Sequence, residues 1–139
     1  MAQSIREVMT ADPRTVEAGA TCVDAAREMR DGDVGPILVM DGDNVHGILT
    51  DRDIAVRAVA DAKDPSSVRA GEIATTGVIG VEADQDASAA AELMRENDVR
   101  RLVVTENGQP VGIVSIGDLA VELDTESALA DISAASPNN

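Results

Sequence analysis

The sequence contains no phenylalanine, tyrosine or tryptophan in 139 residues. A core must therefore be built from Val, Ile, Leu, Met and Ala, and the aromatic platforms on which single-stranded nucleic acids stack are missing. Lysine is nearly absent too: Lys63 is the only one among 11 basic residues, which face 26 carboxylates, for a formal charge of −15. A chain of that sign repels phosphate backbones and anionic lipid, so neither nucleic acid nor a membrane surface is expected as a partner. Cys22 is the single cysteine and has no partner for an internal disulfide. No apolar run approaches 18 residues, and the stretch from Met1 to Glu7 lacks the apolar segment of a signal peptide, so the expected location is the cytoplasm. His46 is the only histidine and has no cysteine or carboxylate at ligand spacing, so no metal site is expected. With one cysteine, one histidine and no legible acid–base pair, no catalytic residue is assigned and the chain is not expected to be an enzyme.

What the sequence does contain is a duplication. Glu7-Val8-Met9-Thr10 answers Glu72-Ile73-Ala74-Thr75 at an offset of 65 residues. The same offset, without a gap, pairs Val16-Glu17-Ala18 with Val81-Glu82-Ala83, Met29-Arg30 with Met94-Arg95, Gly47-Ile48 with Gly112-Ile113, and Asp53 with Asp118. One register held over so long a stretch is the signature of a repeat. The copies are placed at 4–60 and 69–123, with a linker at 61–68 around Asp64-Pro65-Ser66-Ser67 and a tail at 124–139 expected to form a short helix with a frayed end. Two units this small must bury surface against each other to be stable.

Each copy reads as β-α-β-β-α. The segments Thr15-Val16-Glu17 and Ile79-Gly80-Val81 are extended. Helices follow over 22–30 and 87–96, capped by Thr21 and Asp86. Their predicted buried stripes are Val23, Ala26 and Met29 in one, and Ala90, Leu93 and Met94 in the other. Apolar strands over 37–40 and 45–49, then 102–104 and 111–114, flank the turns Asp41-Gly42-Asp43-Asn44 and Glu106-Asn107-Gly108-Gln109. The first of these turns opens like a calcium loop but lacks the closing glutamate, so a hairpin turn is expected. Second helices over 53–60 and 118–123 close the copies.

The two strand-to-helix junctions are Gly47-Ile48-Leu49-Thr50-Asp51-Arg52-Asp53 and Gly112-Ile113-Val114-Ser115-Ile116-Gly117-Asp118. Each is glycine, two aliphatics, a hydroxyl residue, two variable positions and aspartate. A hydroxyl at the end of a strand can cap the next helix and stand beside its free N–H groups, where phosphate is attracted. The aspartate one turn on is suited to the hydroxyls of a ribose. The same spacing is also an ordinary capping box.

With the duplicated β-α-β-β-α unit and a Val-Met-Thr start, these junctions resemble the CBS (cystathionine-β-synthase) domain family, most narrowly stand-alone bacterial proteins made of one CBS pair. The resemblance implies an α/β fold of two repeats packed by pseudo-twofold symmetry into one module. It also implies a regulatory ligand-sensing role, with an adenine nucleotide or adenosyl compound held in the cleft between the repeats. The ligands implied are AMP, ADP, ATP or an S-adenosyl compound, none of them a required cofactor. The residues implied for one site are Thr15, Val16, Val34, Pro36, Ile37, Thr50, Arg52 and Asp53. For the other they are Val81, Val99, Arg100, Arg101, Ser115 and Asp118. A homodimer, through an apolar face of Ile54, Val56 and Val59, and an unidentified effector protein complete the expectation. The alternative is a structural or protein-interaction module that binds no nucleotide.

Overall fold

The β-α-β-β-α order is present in both copies, with lead-in elements before each. The structure, a computed structural model, describes residues 3–123; the expected tail helix at 124–139 lies outside the described residues. In chain order the elements are α1 (Ile5–Val8), β1 (Thr10–Ala11), β2 (Thr15–Glu17), α2 (Cys22–Gly32), β3 (Ile37–Asp41), β4 (Asn44–Leu49), α3 (Asp51–Ile54) with a π-helical turn at Ala55–Val59, α4 (Ala70–Ile73), β5 (Gly80–Glu82), α5 (Ala87–Asn97), β6 (Arg101–Glu106), β7 (Gln109–Ser115) and α6 (Ile116–Leu123). Among the described residues no helix is long and apolar enough to cross a membrane.

The chain folds as two compact units whose limits are not those of the sequence repeats. Residues 14–78 form one, and residues 3–13 together with 79–123 form the other. In the first, β2 pairs parallel with β3 across the α2 crossover, and β3 pairs antiparallel with β4. Thr75 then exchanges two main-chain hydrogen bonds with Ile48, at 2.9 and 3.0 Å. In the second unit the sheet order is β1-β7-β6-β5, with β5 parallel to β6 and β1 pairing Thr10 with Ile113. Thr10 and Thr75 are equivalent in the repeat, as are Ile113 and Ile48. The lead-in of each copy therefore pairs with the sheet of the other copy, as strand β1 in one unit and as a single bridge at Thr75 in the other.

Packing enforces that exchange. Ala70, Ile73 and Ala74 are buried with Val16, Ile37, Val39 and Leu49. Ile5, wholly buried, joins Val81, Leu102, Val104 and Val114. Both cores are aliphatic, and no buried side-chain polar atom among the described residues lacks a partner.

The expected helix stripes hold at Met29, Ala90 and Met94 and are corrected at their other positions. The buried residues of α2 are Cys22, Ala25 and Met29, with Val23 only half-buried and Ala26 exposed. Those of α5 are Ala87, Ala90 and Met94, with Leu93 half-buried. At 3.6 residues per turn, the i, i+3, i+7 spacing returns to one face, whereas i+6 has fallen about 120° behind. Thr21 makes a full capping box with Asp24, at 3.0 and 3.1 Å, but Asp86 makes no side-chain cap bond. Both helices end on an aspartate in the left-handed region, Asp33 and Asp98.

The hairpins follow their turn residues. Asn107 and Gly108 both have positive φ, as a two-residue turn between twisted strands requires. Each hairpin carries one bulge, at His46 and at Val111, equivalent positions again. His46 is half-buried there, its Nε2 3.0 Å from the Gly71 carbonyl. The 61–68 segment is tied down: Val68 is buried, its carbonyl accepts from Cys22 N at 2.9 Å, and Asp64 accepts from Ser66.

Candidate functional site

Strand direction brings the expected residues to one end of each sheet. Because β2 and β3 are parallel and β4 runs back, Thr15 at the start of β2, Ile37 at the start of β3 and Leu49 at the end of β4 are neighbours, with Thr15 opposite Leu38 and Ile37 opposite Leu49. Thr50, Arg52 and Asp53 follow directly. The second unit repeats this, with the starts of β5 and β6 beside the end of β7 and Arg101 directly opposite Ser115.

At the first junction Thr50 is the N-cap of α3. Its N–H donates to Asp53 Oδ2 at 3.0 Å, and Asp53 N–H donates to Thr50 Oγ1 at 3.1 Å. At the second, Ser115 N–H donates to Asp118 Oδ2 at 2.9 Å, and Asp118 N–H to Ser115 Oγ at 3.2 Å. Both hydroxyl-x-x-Asp elements are thus complete capping boxes. That geometry uses one carboxylate oxygen of each aspartate and leaves Oδ1 outside the box. The helices begin at Asp51 and Ile116, directly after the expected hydroxyl caps and two residues before their expected starts.

Three expected lining residues point inward. Val16, Ile37 and Val81 send their side chains into the cores, at 8%, 0% and 4% exposure. A strand alternates its side chains, and these are the inward positions. Val34, Pro36 and Val99 are half-buried, while Thr15, Arg52, Arg100 and Arg101 are exposed. The expected apolar face is also divided. Ile54 packs against the core beside Ala58, whereas Val56 and Val59 are exposed.

Arg57 was not among the expected residues. Its Nε lies 3.9 Å from Asp53 Oδ1, and its Nη1 donates to the carbonyls of Ile73 and Ala74 at 3.2 and 3.4 Å. The i, i+4 spacing to Asp53 is the one signal in the sequence that pointed to it. Asp51 is a second addition, its Oδ1 accepting from Arg52 N–H at 3.1 Å. Cys22 is buried, and burial pushes its thiol pKa up, which disfavours the thiolate. A shallow depression in residues 14–78 is lined by Val16, Glu17 and Ala20 and by Asp24, Arg27, Glu28 and Asp31 of α2, and shares only Val16 with the expected set.

The comparisons with known proteins agree with this architecture. The family model described as "CBS domain" matches residues 5–59 and 70–124. The uncharacterized protein YlbB of Bacillus subtilis is 36% identical over 135 residues, covering 93% of this chain and 90% of that protein. Hypoxic response protein 1 of Mycobacterium tuberculosis is 36% identical over 119 residues, covering 85% of this chain and 83% of that protein. A solved structure, a putative signal-transduction protein with CBS domains from Burkholderia ambifaria, superposes with a TM-score of 0.76 at 31% identity, covering 90% of this chain and 96% of that one. Two matched segments spaced as the internal repeat, with relatives aligned over most of their length, make this chain a member of the CBS-domain family with two CBS domains in tandem.

Proposed function

We propose that this protein is a regulatory module that binds an adenine nucleotide or adenosyl compound at the strand-to-helix junctions of its repeats. CBS-domain proteins are regulatory modules, and that coarser role belongs to the chain through its family. The observation that carries the finer reading is the doubled hydroxyl-x-x-Asp element. It stands in register in both repeats, at the sheet end where the starts of two parallel strands meet the end of a third. There a ribose can bond to the aspartate Oδ1 that the capping box leaves over, and a phosphate can reach a guanidinium.

The ligand acts as a signal and not as a substrate in this reading. Binding regulates only if it differs between two states of the protein, and an effector protein in the cytoplasm reads the difference. Val56 and Val59, 48% and 61% exposed, are the apolar side chains we assign to self-association as a homodimer.

The test is an absorbance spectrum of the purified protein, followed by mass spectrometry of what heat releases. Without Trp or Tyr the chain is nearly silent at 280 nm, so a bound base stands out near 260 nm. Adenine that disappears in the Asp53→Ala or Asp118→Ala protein supports the reading. A flat spectrum together with no heat signal on titrating AMP, ADP, ATP or S-adenosylmethionine sinks it. The capping boxes themselves favour the second reading in that event: two helix starts kept for stability in a module that binds only protein.

A further inference from the structure

The two junctions are chemically unequal, and we infer that the second repeat alone takes the phosphorylated ligand, through Arg100, Arg101 and Asp118. This rests on the nucleotide reading above. Across the loop positions 34–37 and 50–53, together with the Arg57 beside Asp53, the first repeat carries two aspartates and two arginines, a net 0. Across the equivalent 99–102 and 115–118, the second carries Arg100, Arg101 and Asp118, a net +1. In a chain of −15 such a positive spot focuses anions.

The arginines are placed as well as counted. Arg101 faces Ser115 across the β6–β7 pair, and the Arg100 carbonyl accepts the Ile116 N–H at 2.9 Å. That bond pins the arginine pair to the junction. Both side chains are exposed, and among the described residues neither forms an ion pair. The first repeat has Gly35-Pro36 in their place, without a charge and, at Pro36, without an N–H.

The acceptors differ in the same direction. Asp53 Oδ1 already lies 3.9 Å from the Arg57 guanidinium, which two carbonyls hold in position. A ribose there competes with a fixed cation. Asp118 forms no ion pair among the described residues, and the sequence has no basic residue after Arg101 to supply one. Ribose and phosphate groups are therefore both better served in the second repeat, and the class selected is a nucleoside phosphate over the uncharged nucleoside.

The experiment is calorimetric titration of AMP and of adenosine into the intact chain, with melting curves confirming that each variant is folded. The expected result is one AMP per chain. Arg100→Gln with Arg101→Gln weakens AMP about tenfold or more and leaves adenosine unchanged. Asp118→Asn, which keeps an acceptor for the Ser115 N–H, weakens both ligands. Arg95→Gln, an equal loss of charge elsewhere in the same repeat, changes neither. Two equal sites, an undiminished AMP affinity in the double arginine variant, or binding lost on Asp53→Asn but kept on Asp118→Asn overturns the assignment while leaving the nucleotide reading standing. No binding of either ligand, or of ADP or ATP, overturns both.

Discussion

The carbonyl oxygen of Thr75 occupies the place that a β-carbon on Gly47 would take. The equivalent pair repeats it, with the Thr10 carbonyl 2.9 Å from the position of a β-carbon on Gly112. The glycine that opens each junction is thus needed for an incoming main chain and not for the junction's chemistry. Gly47→Ala must push the Thr75 main chain away, at a cost of about 1–3 kcal/mol. Chemical denaturation checks this, and an unchanged midpoint would show that the Thr75 main chain is free to give way.

The compact units and the sequence repeats make different fragments. A chain of residues 14–78 keeps the Thr75–Ile48 bonds and the buried Ala70, Ile73 and Ala74. A chain of residues 4–68 has none of them. The first is expected to show the greater amide protection in hydrogen exchange, and equal protection in both would contradict the exchange of lead-ins.

The two long helices start differently despite equivalent positions. Thr21 caps α2 through a side-chain bond at 3.1 Å, so Thr21→Ala costs about 1 kcal/mol. Asp86 makes no such bond, and Asp86→Ala stays within about 0.5 kcal/mol. Urea titrations of the two variants should separate accordingly, and equal losses would mean that Asp86 caps in solution.

Hydrogen bonds from Thr21 hold the Asp24 carboxyl below its ordinary range, and those from Ser66 do the same for Asp64. A carboxyl whose folded pKa is depressed contributes stability above its unfolded value, near 3.9, and that contribution is lost as pH falls through the folded value. Both residues should titrate below an unperturbed aspartate when followed by carbon-13 NMR. Asp24→Asn should make the protein's stability less sensitive to pH below about 4. Midpoints at or above that of an ordinary aspartate would remove this account.

How much of this was legible beforehand divides along physical lines. The element order, the Thr21 cap and the hairpin turns were readable because each depends on residues close in sequence, and the repeat because one register holds without a gap. The junction residues were readable as a motif, since hydroxyl and aspartate lie within one turn. The inward turn of Val16, Ile37 and Val81 was not, because strands this short show no alternation long enough to phase. The Arg57 contact to Asp53 was visible as a spacing, but its anchorage on the Ile73 and Ala74 carbonyls depends on a segment sixteen residues away.

The sequence by itself determined that the protein is written twice, that its core is aliphatic, and that its surface is strongly negative. It also determined that the second repeat has two arginines where the first has glycine and proline. Only the tertiary structure decided which segment pairs with which sheet. Main-chain pairing of Thr10 with Ile113, and of Thr75 with Ile48, is read by no side-chain pattern. Each of those pairs joins residues that local propensity cannot bring together, and the glycines at 47 and 112 acquire their meaning only once the partner main chain is in place.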